Sequence, residues 1–210
     1  MNLPNKLTIF RMCLIPVIMI VYGIPGLDKP MFEQFEALTL CNFIILLIVF
    51  IGSMTDMLDG KIARKYNLVT NFGKFLDPIA DKLLVVTGFV VLMDQSKEVG
   101  NNLFTWWMLA IILAREFIVS GVRLIAVENK KVIAASMWGK VKTTIQFITL
   151  LYLFVGIQYS PEASGYWVYA IIAEILVYAT LVSTVFSGID YLQKNKDIFL
   201  DQKQKKNKSK

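Results

Sequence analysis

The chain has 210 residues, of which 56% are hydrophobic and 18% charged, with a formal net charge of +6. Soluble domains carry about 25% charged residues, and a mean hydropathy of +0.57 excludes one water-soluble core of this size; the composition is that of an integral membrane protein. Histidine is absent, which excludes Ser-His-Asp and Cys-His nucleophiles, His-ligated zinc and an imidazole base.

Apolar runs fall at 7–24, 37–55, 75–93, 104–127, 143–159 and 166–188. Crossing about 30 Å of hydrocarbon takes about 20 helical residues, so the expected fold is an all-α membrane protein of six transmembrane helices. The first run follows a polar stretch, Asn2-Leu-Pro4-Asn5-Lys-Leu-Thr8-Ile-Phe-Arg11, and ends at Pro25 and Gly26. No small-residue cleavage site follows it, so it reads as a retained helix rather than a signal peptide. Gly100 to Asn102 precede the fourth run and Ser160-Pro161 the sixth, as loop punctuation does. Cys13 and Cys41 sit in apolar stretches and offer neither a disulfide framework nor a CxxC metal site.

Of the 22 lysines and arginines, only Lys29 and Lys97 lie in the loops after helices one and three, and Arg115 lies mid-span in helix four. The other 19 lie at the two ends or in the connections after helices two and four. An even helix count puts both termini on this basic side, which the charge bias makes cytoplasmic. Residues 1–193 are expected to form one membrane domain, and 194–210, with seven lysines and two aspartates, a solvated tail attracted to anionic lipid.

The chemistry lies between runs two and three, in Asp56-Met-Leu-Asp59-Gly60-Lys-Ile-Ala63-Arg64 and Gly73-Lys-Phe-Leu-Asp77-Pro-Ile-Ala-Asp81-Lys82. Asp56 and Asp59 are three apart and Asp77 and Asp81 four apart, so each pair shares a helix face. The third helix is expected to end near Asp94, and its apolar run Leu83–Met93 has 11 residues. To span, it must begin early enough to draw Asp77 and Asp81 inside the membrane boundary, where carboxylates need a watery cavity and a cationic partner. Salt bridges to Lys61, Arg64, Lys74 and Lys82 are the plain alternative. Four mutually repelling carboxylates call for more, and hard oxygen ligands without histidine point to two divalent ions, Mg²⁺ or Mn²⁺. The common use of such a site is in-line displacement at phosphorus. Gly60, Ala63 and Gly73 permit close approach of a helix or a ligand, and Arg64 offers a planar fork for phosphate.

The spacing D-x2-D-G-x2-A-R-x8-G-x3-D-x3-D is met at every defined position from Asp56 to Asp81. This resembles the CDP-alcohol phosphotransferase family, whose members transfer a phosphatidyl or related group from a CDP-linked donor to an alcohol and release CMP. The resemblance implies that Asp56, Asp59, Asp77 and Asp81 bind two metal ions and that Asp81 deprotonates the acceptor hydroxyl. It further implies that Gly60, Arg64 and Thr70 hold the CDP moiety, with Ala63 and Gly73 beside it, and that the protein is a homodimer.

Two other regions bear on the acceptor. The N-terminal stretch resembles the phosphatidylglycerophosphate-forming branch of the family, which uses CDP-diacylglycerol and sn-glycerol 3-phosphate; there Asn5 and Thr8 approach the donor, while the plain alternative makes Asn5 a helix cap. Ala114-Arg115-Glu116, Arg123 and Gly139-Lys140-Val-Lys142-Thr143 resemble the same branch. Arg115, Arg123, Lys140 and Lys142 suit an acceptor that bears its own phosphate. For Arg115 the alternative is an ion pair with Glu116 or Glu174. Sibling acceptors are inositol phosphate, serine and phosphatidylglycerol, and a divalent-cation transporter is the remote alternative. The expected setting is a multi-pass protein of the bacterial cytoplasmic membrane, its active site facing the cytoplasm, with membrane lipid and no nucleic acid as partners. Trp106, Trp107, Tyr166 and Trp167 read as interfacial anchors.

Overall fold

In the computed structural model, which describes residues 2–32, 35–65, 71–128, 136–162 and 165–196, six helices carry the chain. They are α1 (Leu3–Tyr22), α2 (Leu40–Lys65), α3 (Asn71–Val99), α4 (Trp106–Glu128), α5 (Met137–Gly156) and α6 (Tyr166–Lys194). Each of the six apolar runs has its helix, but the helices reach beyond the runs where polar residues are compatible with helix. Thus α3 continues past Asp94 to Val99, and α2 passes through the Asp56–Arg64 segment. Among the described residues all-α holds apart from a short antiparallel hairpin between α1 and α2, β1 (Pro30–Phe32) and β2 (Phe35–Thr39). Residues 37–39, expected at the head of the second helix, belong to that hairpin, and Thr39 Oγ1 accepts the Asn42 backbone N–H at 3.2 Å as α2 begins.

Among the described residues, two helices, over Asn5–Tyr22 and Tyr166–Lys194, are long and apolar enough to cross a membrane, and α2 contains a shorter apolar stretch, Leu40–Thr55. In α4 and α5 the hydropathy is interrupted by Arg115, Glu116, Arg123, Lys140, Lys142 and Gln146. Large apolar side chains point outward, among them Phe117, Leu124, Trp167, Val168, Ile175 and Val182, as lipid-facing positions do. Trp106 and Trp167 are exposed, whereas Tyr166 is buried. Cys13 and Cys41 are free thiols.

The chain divides into two units. The first comprises 1–105 and 150–170; within it α1 packs against α2 and α3. Three contacts fix how these helices run past one another. Tyr22 donates to Asp94 Oδ2 at 2.8 Å, and Gln95 Nε2 donates to Asn42 Oδ1 at 2.6 Å. Between them, a Cβ on Gly52 would lie 2.4 Å from Leu84 Cδ2 and 3.4 Å from Leu14 Cδ1, so glycine lets the three backbones close in. Hence α1 and α3 run parallel and α2 antiparallel to both. A polar knot of Ser96, Asn101 and the Ile157 carbonyl fastens the far end of α3. The second unit comprises 106–149 and 171–210. Val119, Val122, Ala126 and Tyr191 form its apolar cluster, and Thr149 and Thr180 share a buried hydroxyl pair at 2.8 Å.

Candidate active site

In the first unit, the antiparallel run of α2 against α3 brings the end of α2 and the start of α3, which carry the aspartate motif, beside the N-terminal half of α1. Thr70 lies outside the described residues. For Asp56, Asp59, Gly60, Ala63, Arg64, Gly73, Asp77 and Asp81 only the helical backbone is described. Among the described residues no three His, Cys, Asp or Glu side chains gather as metal ligands.

On α1, Asn5, Thr8 and Arg11 are all buried, and their three-residue steps keep them on one side of the helix. Asn5 is not the cap. The helix opens at Leu3, with Asn2 in the cap position making no side-chain cap bond. Pro4 sits in the first turn, where a missing N–H removes no helical bond. The cap expectation therefore fails by one turn, and Asn5 faces the packed interior. Arg11, 0% exposed, was not among the expected ligands; the repeat of a polar residue every third position from Asn5 was the signal that could have found it.

In the second unit the sequence-predicted cations separate into two kinds. Arg123 and Lys140 are exposed, while Lys142 is only 1% exposed. Lys142 Nζ pairs with Glu116 Oε1, and Arg115 Nη1 meets the same oxygen at 3.2 Å. The ion-pair alternative for Arg115 thus finds Glu116, not Glu174, which is exposed on α6. Arg115 also donates from Nη2 to Ser187 Oγ at 2.7 Å. Its side chain lies in a slot made by two glycines. A Cβ on Gly188 would stand 3.3 Å from Arg115 Cγ, and one on Gly139 would stand 3.6 Å from Nη2. Gly139 opens α5 with its N–H donated to Ser136 Oγ at 3.0 Å. Helices α4, α5 and α6 therefore converge on one guanidinium. Arg115 Nε–H is buried and has no hydrogen-bond partner among the described residues. Sequence reasoning missed Ser187 and the glycine slot, because a serine and two glycines on separate helices carry no pattern of their own.

This arrangement, two cations locked around one carboxylate with a guanidinium N–H left over, is suited to an oxyanion. The motif segment carries four aspartates and no histidine or cysteine. A family model described as CDP-alcohol phosphatidyltransferase matches residues 1–186. The chain belongs to that family. CDP-alcohol phosphatidyltransferase relatives match at almost full length. A Bacillus subtilis protein named CDP-diacylglycerol–glycerol-3-phosphate 3-phosphatidyltransferase is 37% identical over 92% of this chain and 95% of its own. Proteins of the same name from Rickettsia felis and Haemophilus influenzae are each 37% identical. They cover 94% and 95% of this chain, and 97% and 96% of their own lengths.

Proposed function

We propose that this CDP-alcohol phosphatidyltransferase moves the phosphatidyl group of CDP-diacylglycerol to sn-glycerol 3-phosphate, giving phosphatidylglycerophosphate and CMP in phospholipid biosynthesis. The observation that carries the reading is the full-length similarity to relatives bearing that name. The setting that suits it is a six-span protein of the cytoplasmic membrane, termini and active site on the basic side, working as a homodimer.

The helix register supports a carboxylate site. Each step along α3 from the Gln95–Asn42 and Leu84–Gly52 contacts is matched by a step back along α2. Continued toward the motif, that count pairs Asp81 with Asp56 and Asp77 with Asp59. The donor set is all oxygen, with no histidine in the chain, which fits a hard divalent ion. Two ions, Mg²⁺ or Mn²⁺, would be held by these four aspartates, and when bound they neutralise phosphate charge and favour in-line displacement at phosphorus. Arg64 forks the CDP phosphates, and Gly60, Ala63 and Gly73 leave room for the nucleotide. Asn5, Thr8 and Thr70 orient it. Asp81 takes the proton of the acceptor 1-hydroxyl, whose oxygen attacks the lipid-side phosphorus while the bond from that phosphorus to CMP breaks. Arg115, Arg123, Lys140 and Lys142 bind the acceptor phosphate, which fixes which alcohol is used.

The test is CMP release from CDP-diacylglycerol by the purified protein with Mg²⁺ or Mn²⁺, offered glycerol 3-phosphate, inositol phosphate, inositol, serine or phosphatidylglycerol separately. Turnover confined to glycerol 3-phosphate and lost in Asp81→Asn is the expected result. Turnover with another acceptor would keep the aspartate roles and discard the acceptor assignment. No turnover with any acceptor, in folded and metal-loaded protein, would overturn the reading and make metal uptake into proteoliposomes the next measurement.

A further inference from the structure

Among the described residues, Glu116 is a carboxylate that touches two cations through one oxygen. The arrangement is not what adjacency alone gives. Successive residues of a helix diverge by about 100°, yet Arg115 Nη1 returns to its neighbour's Oε1 at 3.2 Å. It does so because its stem is laid across Gly188 and its head beside Gly139, with Ser187 Oγ accepting from Nη2 at 2.7 Å. Lys142 comes to the same oxygen from α5 and is almost wholly buried there. Three helices thus fix both cations, and Glu116 is the point at which they meet. A second observation is the Nε–H of Arg115, buried and without a hydrogen-bond partner among the described residues. Buried guanidinium donors left unmatched are costly, and an acceptor atom brought by a ligand answers that cost.

We infer that Glu116 is a positioning residue for the acceptor phosphate: it locks Arg115 and Lys142 at fixed points, and the Nε–H of Arg115 is the donor kept for the phosphate. The inference rests on the assignment of these two cations to the acceptor made above. Without the carboxylate, two neighbouring cations in a low-dielectric setting repel, and more of the cost of holding them in place falls on acceptor binding. The charge of Glu116 is therefore used for preorganisation, and its removal should be felt by one substrate only.

The experiment is steady-state kinetics of the full chain in detergent, varying glycerol 3-phosphate and CDP-diacylglycerol in turn, with thermal unfolding measured alongside. Glu116→Gln is expected to raise the acceptor KM about tenfold or more and leave the donor KM within about twofold. Glu116→Asp restores the charge one methylene short and should recover part of that loss. Ser187→Ala, which removes only the Nη2 acceptor, should raise the acceptor KM about threefold. A merely structural Glu116 would lower the unfolding temperature and kcat with both KM values unchanged, and that result would overturn the inference. If Glu116→Gln does not fold, Glu116→Asp and Ser187→Ala carry the same comparison. Lys142→Met distinguishes the two levels of failure. A raised acceptor KM there with a wild-type value in the Glu116 variants rejects the positioning role alone. A wild-type acceptor KM in Lys142→Met and in all the Glu116 variants moves the acceptor site elsewhere.

Discussion

Along α2 and α3 the motif carboxylates share one sign and stand at helical spacing, Asp56 with Asp59 and Asp77 with Asp81. Around Arg115 opposite signs meet: two cations, one carboxylate and a serine hydroxyl drawn from three helices. Like charges kept together must be neutralised by cations or lose their ionisation, so a sequence that clusters them points to a cationic partner. Opposite charges can satisfy one another. A cluster of that kind is ambiguous until geometry shows which donors are occupied and which are not, as the Nε–H of Arg115 does. Sign pattern alone therefore marks the first region as a candidate site and leaves the second undecided.

The comparison breaks most visibly if the carboxylates can be neutralised without consequence. Asp→Asn at Asp56, Asp59, Asp77 or Asp81 is expected to cost about a thousandfold or more in kcat/KM, the scale of removing charge stabilisation at a displacement centre. The protein should stay in the membrane fraction. CMP release with each variant checks this, and near-wild-type turnover in any one would remove that residue from the site. At the second region, Lys142→Met removes the buried member of the pair and leaves half-buried Glu116 facing Arg115. Truncating one partner of a buried charge pair costs about 2 kcal/mol or more, so acceptor KM should rise roughly thirtyfold. Equal rises in donor and acceptor KM would mean that the cluster supports the fold as a whole.

How much of this was legible follows from the same contrast. Six helices could be counted from apolar runs because each run is long enough to demand one. Their ends could not, since Asp56 to Arg64 and the residues after Asp94 are polar yet still helical. The hairpin at 30–39 was invisible, because its pairing lies in hydrogen bonds rather than in any alternation of residue type. The aspartate motif stands out in the sequence because its spacings are short and lie along single helices, and the family it points to is the one the chain belongs to. The slot around Arg115 depends on residues far apart in the chain, Gly139 and Gly188, and spacing carries no record of them. In sequence, Lys142 stands with Arg123 and Lys140 as one kind of cation; burial separates it from Lys140, two positions away on the same helix.

A stability variant that touches none of the residues of either region sharpens the contrast by showing what loss of packing alone does. A Cβ on Gly156 would lie 2.3 Å from the Tyr169 ring. That ring is held by stacking on Tyr152 at 5.1 Å and by donating its hydroxyl to the Leu153 carbonyl at 3.2 Å. Gly156→Ala should cost about 1–3 kcal/mol, the usual scale of overpacking, and lower the unfolding temperature. The fraction that remains folded should keep both KM values. A shift in either would show that the tyrosine stack communicates with substrate binding.

The smallest effects belong to Arg123 and Lys140, and their salt dependence separates them from Lys142. Both are exposed, so any attraction they exert on an acceptor phosphate passes through water. Exposed charges typically contribute about 1 kcal/mol or less, which corresponds to about a fivefold rise in acceptor KM for Arg123→Ala or Lys140→Ala. At physiological ionic strength the screening length is about 8 Å, and it falls to about 3 Å at 1 M. The gap between these variants and the wild type should therefore close as salt is added, because the wild type loses the same attraction. The gap for Lys142→Met should persist, since a buried pair is screened far less. Acceptor KM measured for all three variants across a salt series decides it. A gap for Arg123→Ala that stays open in high salt would mean that its guanidinium touches the phosphate directly when acceptor is bound, and the division between buried and exposed cations would then give way to one continuous binding surface.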